Sequence, residues 1–267
     1  MKKKLKPSTV WKGLLCAVML VVALFPIYWL LAMAIRPTDE MRGHISLIPQ
    51  TLTMEHFAQL FTKEGFGQAI INSLQTTGVS LVISLLVGIC AAYVIARRRF
   101  HFGLKKPLTY WVLLVRVLPP VAFTIPLYIM FNKLGVLNTK IPVMLACVLI
   151  NVPLIIWFLI SFFQDLPEEV EESAKVDGAT EWQLFCRIVL PLVAPGIAAV
   201  AMLSFMYAWN EYTYTVIFTR SPSNNTVPLA LSVLNTEDNL TNFGLVAAGG
   251  VMSVIPITLF VIFAQNY

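Results

Sequence analysis

The sequence predicts an all-α membrane protein of six transmembrane helices, with both termini on the cytoplasmic side (N-in/C-in) and a charged helical hairpin between spans 4 and 5. Three observations lead there. Of the 267 residues, 58% are hydrophobic and only 12% charged, about half the charge of an ordinary soluble domain. The charges are clustered, which leaves neutral runs at 13–35, 65–96, 141–164, 188–210 and 239–267. Each run reaches the ~20 apolar residues that cross a hydrocarbon core. A sixth run, between Lys106 and Lys133, is interrupted only by Arg116. Helices are the default, because backbone groups in lipid must be satisfied within their own segment. Membrane strands would alternate apolar and polar residues, and these runs do not.

Taken in order, the spans are expected at 13–35, 70–96, 108–131, 141–163, 192–215 and 243–265. The first follows a basic start and resembles a signal peptide. Its apolar run is too long for a signal core of 7–15 residues, so an uncleaved span is expected. Pro26, Pro119, Pro120, Pro126, Pro153 and Pro256 fall inside spans. Each removes a backbone donor and kinks or opens its helix. The Pro119-Pro120 pair beside Arg116 marks span 3 for a functional break. The loop from about Arg36 to Gly67 is expected to form short surface helices, and the Arg220–Asn242 segment reads as irregular. No soluble domain is evident, so residues 1–267 are expected to form a single transmembrane domain.

Orientation follows from Lys and Arg. One side holds Lys2, Lys3, Lys4, Lys6, Lys12, Arg97, Arg98, Arg99, Lys105, Lys106, Lys175 and Arg187. The other holds Arg36, Arg42, Lys63, Lys133, Lys140 and Arg220. The richer side is cytoplasmic by the positive-inside rule. The net charge of +5 is thus mainly a topology signal, and no nucleic-acid partner is expected. The four cysteines are widely spaced and form no CxxC pair, so neither a metal site nor a disulfide framework is expected. The three histidines are dispersed, and no Gly-rich phosphate loop of the Walker type is present. The chain is therefore expected to be non-catalytic.

The hairpin occupies 165–191. It carries Asp165, Glu168, Glu169, Glu171, Glu172, Asp177 and Glu181 against Lys175 and Arg187; seven acids less two bases give −5. Pro167 fits a helix start. The acids that follow suit the positive helix end. Leu166, Val170 and Ala174 recur every fourth position as one apolar face. Gly178 is a natural stop. Thr180 with Gln183 reads as a capping box, with Leu184, Phe185, Ile188 and Val189 forming the next apolar face. Net acidity on an inside loop argues for docking rather than topology.

Glu172-Ser173-Ala174, Gly178 and Ile188-Val189-Leu190-Pro191 resemble the EAA–G–I-LP loop of bacterial ABC importer permeases, with Ser173 in place of the more usual Ala. The stretches 125–128 and 134–139 and Ala208-Trp209-Asn210-Glu211-Tyr212 look like the carbohydrate-importing, maltose-type (CUT1) branch. Permeases of that branch carry a short Gly-containing segment after the last span, which Ala264-Gln265-Asn266-Tyr267 do not match. The resemblance implies a permease that forms half of a sugar path in the bacterial cytoplasmic membrane. It implies an ABC ATPase dimer, a second permease and an extracytoplasmic solute-binding protein as partners, beside membrane lipid. ATP and magnesium would sit on the ATPase, with no cofactor on this chain. The 167–178 helix would be the coupling helix, with Glu168, Glu171, Glu172, Ser173, Ala174, Asp177, Gly178 and Trp182 as the ATPase-coupling residues and Ala174 packing in the ATPase cleft.

Ionisable groups in spans are functional candidates by default. Arg116 and Glu211, with Trp209, Asn210 and Tyr212, are the candidate path residues: aromatic faces and hydrogen-bonding groups together suit a sugar. A structural Arg–Glu pair or an interfacial aromatic belt would explain the same residues. Asn151 and Asn72 are further candidates. Two other functions compete, a self-contained ion-coupled secondary transporter using Arg116 and Glu211, and an ABC importer for a non-sugar solute.

Overall fold

A computed structural model describes residues 7–42, 46–97, 105–234 and 242–265. Every regular element among them is helical. The chain divides into two compact units, Met1–Phe66 with Leu231–Val254, and Gly67–Ala230 with Ile255–Tyr267.

In the first unit, α1 (Pro7–Ala34) carries no charge after Lys12 and is exposed from Trp11 to Tyr28. Burial begins only at Ala32, Met33 and Ala34. Arg36, expected as an outlying topology charge, is wholly buried. Its Nη2 donates to the Ser46 carbonyl at 2.6 Å, and its guanidinium lies 5.7 Å over the Trp29 ring. The Arg36 carbonyl sits 2.8 Å from Nε2 of buried His56, on α2 (Glu55–Thr62). A Cβ at Gly244 would collide with the His56 ring, so glycine is required there. The segment after Arg36 thus folds as short helical pieces around a buried arginine.

The second unit is built on α3 (Phe66–Ala96), α4 (Lys105–Val117), α5 (Pro120–Lys133) and α6 (Ile141–Asp165). It continues through α7 (Glu168–Val176), α8 (Glu181–Leu192), α9 (Ala194–Trp209), α10 (Thr213–Phe218) and the first half of α11 (Val227–Leu234). It closes with the end of α12 (Phe243–Ala264). Close helix approach uses small residues, as membrane bundles do. A Cβ on Gly88 would lie 2.6 Å from Ile155, and one on Gly196 2.5 Å from Phe162. Both glycines therefore set the distance of their helices from α6.

Among the described residues, four helices are long and apolar enough to cross a membrane: Trp11–Ala34, Phe66–Ala96, Ile141–Asp165 and Phe243–Ala264. The count reaches six if each of two bent pairs is one span. The segments expected as spans 3 and 5 fall in these bent pairs, and the break expected at Pro119-Pro120 is present in the first of them. In span 3, Pro107–Val115 and Pro120–Lys133 meet at 87°. The cause is the Pro119-Pro120 pair: the residue before a proline is pushed out of the α region, and Pro119 has φ −64° and ψ 138°. In span 5, Glu181–Leu192 and Ala194–Trp209 meet at 73°. Pro191 and Pro195 flank that bend. Within α8, Leu184–Val189 is a π-helical turn, in which the Leu190 N–H donates to the Phe185 carbonyl. A proline ring collides with the carbonyl four residues back. For Pro191 that carbonyl belongs to Arg187, inside the widened turn.

Candidate functional site

The hairpin begins where α6 is forced to end. Leu166, ahead of Pro167, is extended at ψ 124°, and Pro167 follows at ψ 134°. Pro167 therefore stands one residue ahead of α7. Glu168, Glu169 and Glu171 occupy the first turn of α7 and Lys175 the last, in accord with the helix dipole. Gly178 has φ +84°. Its N–H donates to the Lys175 carbonyl at 3.1 Å, and the Ala179 N–H to the Ala174 carbonyl at 3.0 Å. That is a Schellman closure, which requires the left-handed residue a glycine supplies. The next helix opens at once with both bonds of the Thr180–Gln183 capping box, at 2.9 and 3.3 Å.

The two faces of the hairpin differ in character. Ala174, Leu184, Phe185 and Val189 enter a core with Tyr93 of α3 and Phe163 of α6. Tyr93 packs on Phe185 at 4.9 Å and on Phe163 at 5.5 Å. Glu171 is also buried, its Oε1 lying 2.7 Å from Arg97 Nε. The N–H is poorly aligned, so the contact is an ion pair rather than a directed hydrogen bond. Tyr93 Oη donates to the same carboxylate at 3.4 Å, and Arg97 Nη1 donates to the Leu166 carbonyl at 3.2 Å. Ala174 is thus occupied by the chain's own packing, and so is Glu171. This differs from the expectation that Ala174 fills a partner's cleft: its small size lets α7 close on its own core.

The outward face holds Glu168, Glu172, Ser173, Asp177, Gly178 and Trp182, all exposed. The Ser173 hydroxyl donates back to the Val170 carbonyl at 3.1 Å, so the serine in place of alanine satisfies itself. Trp182 is 72% exposed and Val176 88%. A tryptophan and a valine left bare among carboxylates are an unusual pairing on a charged surface. Val176 was not singled out from the sequence. Its position at the last turn of an amphipathic helix, off the Leu166–Val170–Ala174 stripe, was the available signal.

The path candidates are scattered by the fold. A cavity of about 240 Å3 lies at the break between α4 and α5, lined among others by Pro120, Cys147, Asn151, Tyr207 and Glu211. Of the four candidates whose side chains are described, Glu211 lines it and Trp209, Asn210 and Tyr212 do not. Trp209 is buried, stacked on Phe205 at 5.8 Å, and Phe205 stacks on Phe260 at 4.2 Å. Its aromatic bulk serves packing rather than a belt or a path. Asn210 is exposed and donates to the Met206 carbonyl at 2.8 Å. Tyr212 is partly exposed, at 41%. Arg116 falls in α4, and its side chain lies outside the described residues. Glu211 accepts from the Tyr214 N–H at 2.7 Å and so caps the start of α10. Tyr214 Oη in turn donates to the Pro120 carbonyl at 2.9 Å, a carbonyl at the proline break.

Asn151, wholly buried on α6, donates to the Ser204 carbonyl at 3.2 Å. Its Oδ1 has no hydrogen-bond partner among the described residues. Asn72 is structural: it donates to the carbonyls of Ser223 and Asn225 at 2.8 and 2.9 Å and accepts from Gln68.

Membrane-length helices, two proline-broken pairs and an acidic hairpin that leaves Val176 and Trp182 exposed define the class: a helical, multi-pass membrane protein. A family model described as the binding-protein-dependent transport system inner membrane component matches residues 84–267, and the chain belongs to that family. It is 31% identical to the trehalose transport system permease protein SugB of Mycobacterium tuberculosis, over 91% of this chain and 88% of that one. It is 33% identical to the arabinooligosaccharides transport system permease protein AraQ of Halalkalibacterium halodurans, over 100% and 96%. It is 30% identical to the diacetylchitobiose uptake system permease protein DasC of Streptomyces coelicolor, over 96% and 92%. Its fold is similar to that of a bacterial ABC transporter involved in the import of the acidic polysaccharide alginate. The TM-score is 0.81 at 20% identity, covering 100% of this chain and 99% of that one. A second structure, of the alginate transporter in complex with a pentasaccharide-bound periplasmic protein, gives a TM-score of 0.72 at 19% identity, covering 96% and 92%.

Proposed function

We propose that the chain is one of two permeases of an ATP-driven carbohydrate importer in the bacterial cytoplasmic membrane, working as a single transmembrane domain. Six spans, two of them bent, carry the path, with both termini and the hairpin on the cytoplasmic side. The asymmetry of Lys and Arg supports that orientation. An ABC ATPase dimer binds ATP and magnesium, and a solute-binding protein delivers the sugar from outside. Hydrolysis belongs to the ATPase, and this chain transmits it. Relatives named for trehalose, arabinooligosaccharides and diacetylchitobiose support a carbohydrate substrate. Family membership favours this reading over an ion-coupled one.

The observation that carries the reading is the hairpin's outward face. Val176 and Trp182 stand out from Glu168, Glu172 and Asp177. That leaves two apolar side chains bare on a charged element, the residue types that a docking surface combines. Closure of the ATPases moves the hairpins, and the bundle rocks between inward-open and outward-open states around a midplane site.

In this chain the site is the cavity at the α4–α5 break, with Glu211 and the spare Asn151 Oδ1 as acceptors for hydroxyl donors. Its volume is below the roughly 300–1,000 Å3 of self-contained ligand pockets. That suits one wall of a path completed by the second permease. Arg116, Asn210 and Tyr212 remain path residues of this proposal, at the margins of that wall.

The test is reconstitution of the full complex with a panel of loaded binding proteins. ATPase activity stimulated by a sugar-loaded binding protein, with sugar accumulating in the vesicle, is the expected result. Stimulation by an amino acid or a peptide and by no sugar would overturn the carbohydrate assignment.

A further inference from the structure

The joint between α6 and α7 consists of two extended residues, Leu166 and Pro167, the kind of short non-helical link that absorbs rotation in hinged proteins. A hairpin hung on such a joint would swivel when pushed, and a push that ends in swivelling does no work on the spans. Arg97 lies across the joint. It follows directly on α3, its own N–H donating to the Tyr93 carbonyl at 3.1 Å. One arm of its guanidinium holds the Leu166 carbonyl on the α6 side at 3.2 Å. The other faces Glu171 on the α7 side at 2.7 Å. Both side chains are more than nine-tenths buried, so losing one leaves the other charged in a poorly hydrated place, which is far costlier than breaking a surface pair. Tyr93 supports the arrangement from α3, bonding to Glu171 and packing on both Phe163 and Phe185. Phe185 leads outward to exposed Trp182, ring centroids 6.2 Å apart.

We propose that Arg97 and Glu171 are positioning residues for energy coupling: their ion pair locks the Leu166–Pro167 joint, so that α7, α6 and α3 move as one lever. The inference rests on the reading of the chain as an ATP-driven permease. It adds that α3 carries the stroke into the membrane, although no part of α3 belongs to the hairpin's outward face.

The test uses the assembled complex with Glu171→Gln, Arg97→Lys and the reversed pair Arg97→Glu with Glu171→Arg. Glu171→Gln keeps the side chain's size and one acceptor oxygen for Tyr93, and removes the charge that faces Arg97. The expected result is normal ATPase binding and retained ATP hydrolysis, with sugar transported per ATP reduced about tenfold, the factor that ~1.4 kcal/mol of pairwise coupling supplies. Arg97→Lys, which keeps the charge but loses the forked reach to Leu166, falls between Glu171→Gln and the wild type. The reversed pair recovers at least part of the ratio. Hydrogen exchange on the assembled complex provides the second measurement. In Glu171→Gln, amides of α7 exchange faster while those of α9 do not change. A wild-type transport ratio together with unchanged α7 exchange in Glu171→Gln would overturn the lock. A wild-type complex that no loaded binding protein stimulates overturns the importer reading instead, and the exchange measurement then still decides whether the joint is locked.

Discussion

Gly178 has a positive φ of +84° and open space where a side chain would go. Substitution there meets only the cost of the left-handed backbone, roughly 1–2 kcal/mol for an ordinary residue and less for asparagine. Gly178→Asn is therefore expected to keep most uptake, Gly178→Val to lose much of it, and Gly178→Pro to abolish it. Uptake normalised to inserted protein is the measurement, and a fully active Gly178→Pro would remove the hairpin from the mechanism. Asn138 makes the opposite case, a non-glycine at φ 61°. Its Oδ1 accepts the N–H groups of Arg220 and Ser221, both at 2.9 Å, and its Nδ2 donates to Ser221 Oγ at 2.8 Å. Asn138→Gly keeps the backbone but forfeits these bonds, at about 1–3 kcal/mol. Asn138→Ala forfeits both and should lower the thermal midpoint in detergent further. Gly178 was legible because helix stops have a local grammar. The roles of Arg97 and Glu171 were not. They lie far apart in sequence; the arginine sat in a basic run that reads as topology, and a glutamate is assigned to the surface unless its partner is known.

At the scale of elements, breakpoints were easier to read than faces. The Pro119-Pro120 break, the Thr180 capping box and the apolar set of α8 follow from short-range rules, and the structure contains them. The hairpin's inward and outward sides did not follow, because small Ala174 fits an own core as well as a partner's cleft. The outward side yields its own prediction. Trp182→Ala should weaken capture of the purified ATPase by about 2 kcal/mol, roughly 30-fold, as loss of an anchoring aromatic does. Fluorescence titration in detergent would measure it. Equal affinity would show that Trp182 serves only its contact with Phe185. For the cavity, Asn151→Leu is expected to lower transport while leaving ATPase capture unchanged, since Asn151 lies on α6 away from the hairpin's outward face.

Over the whole molecule, the sequence marked the long apolar runs and the two sides of charge, and it was weaker on what lies inside. In lipid the packed face and the lipid face of a helix are both apolar, so periodicity could not tell that Trp209 is buried or that Gly88 touches Ile155. Such contacts make the second unit sensitive to volume. Gly196→Leu, forced into Phe162, should reduce the yield of folded protein by gel filtration, whereas Gly13→Leu, with open space around it, should not. The π-helical turn at Leu184–Val189 bears on how this chain diverges from its kin. A turn holding one surplus residue absorbs a change of length: losing that residue would restore the α-helical repeat and leave the turns on either side in phase, whereas a deletion from a regular α-helical turn would rotate everything on its hairpin side by ~100° about the axis. The helix can thus lose one codon at this turn and keep Trp182 aimed where it is, which makes the widened turn the one place in α8 where length is free to vary.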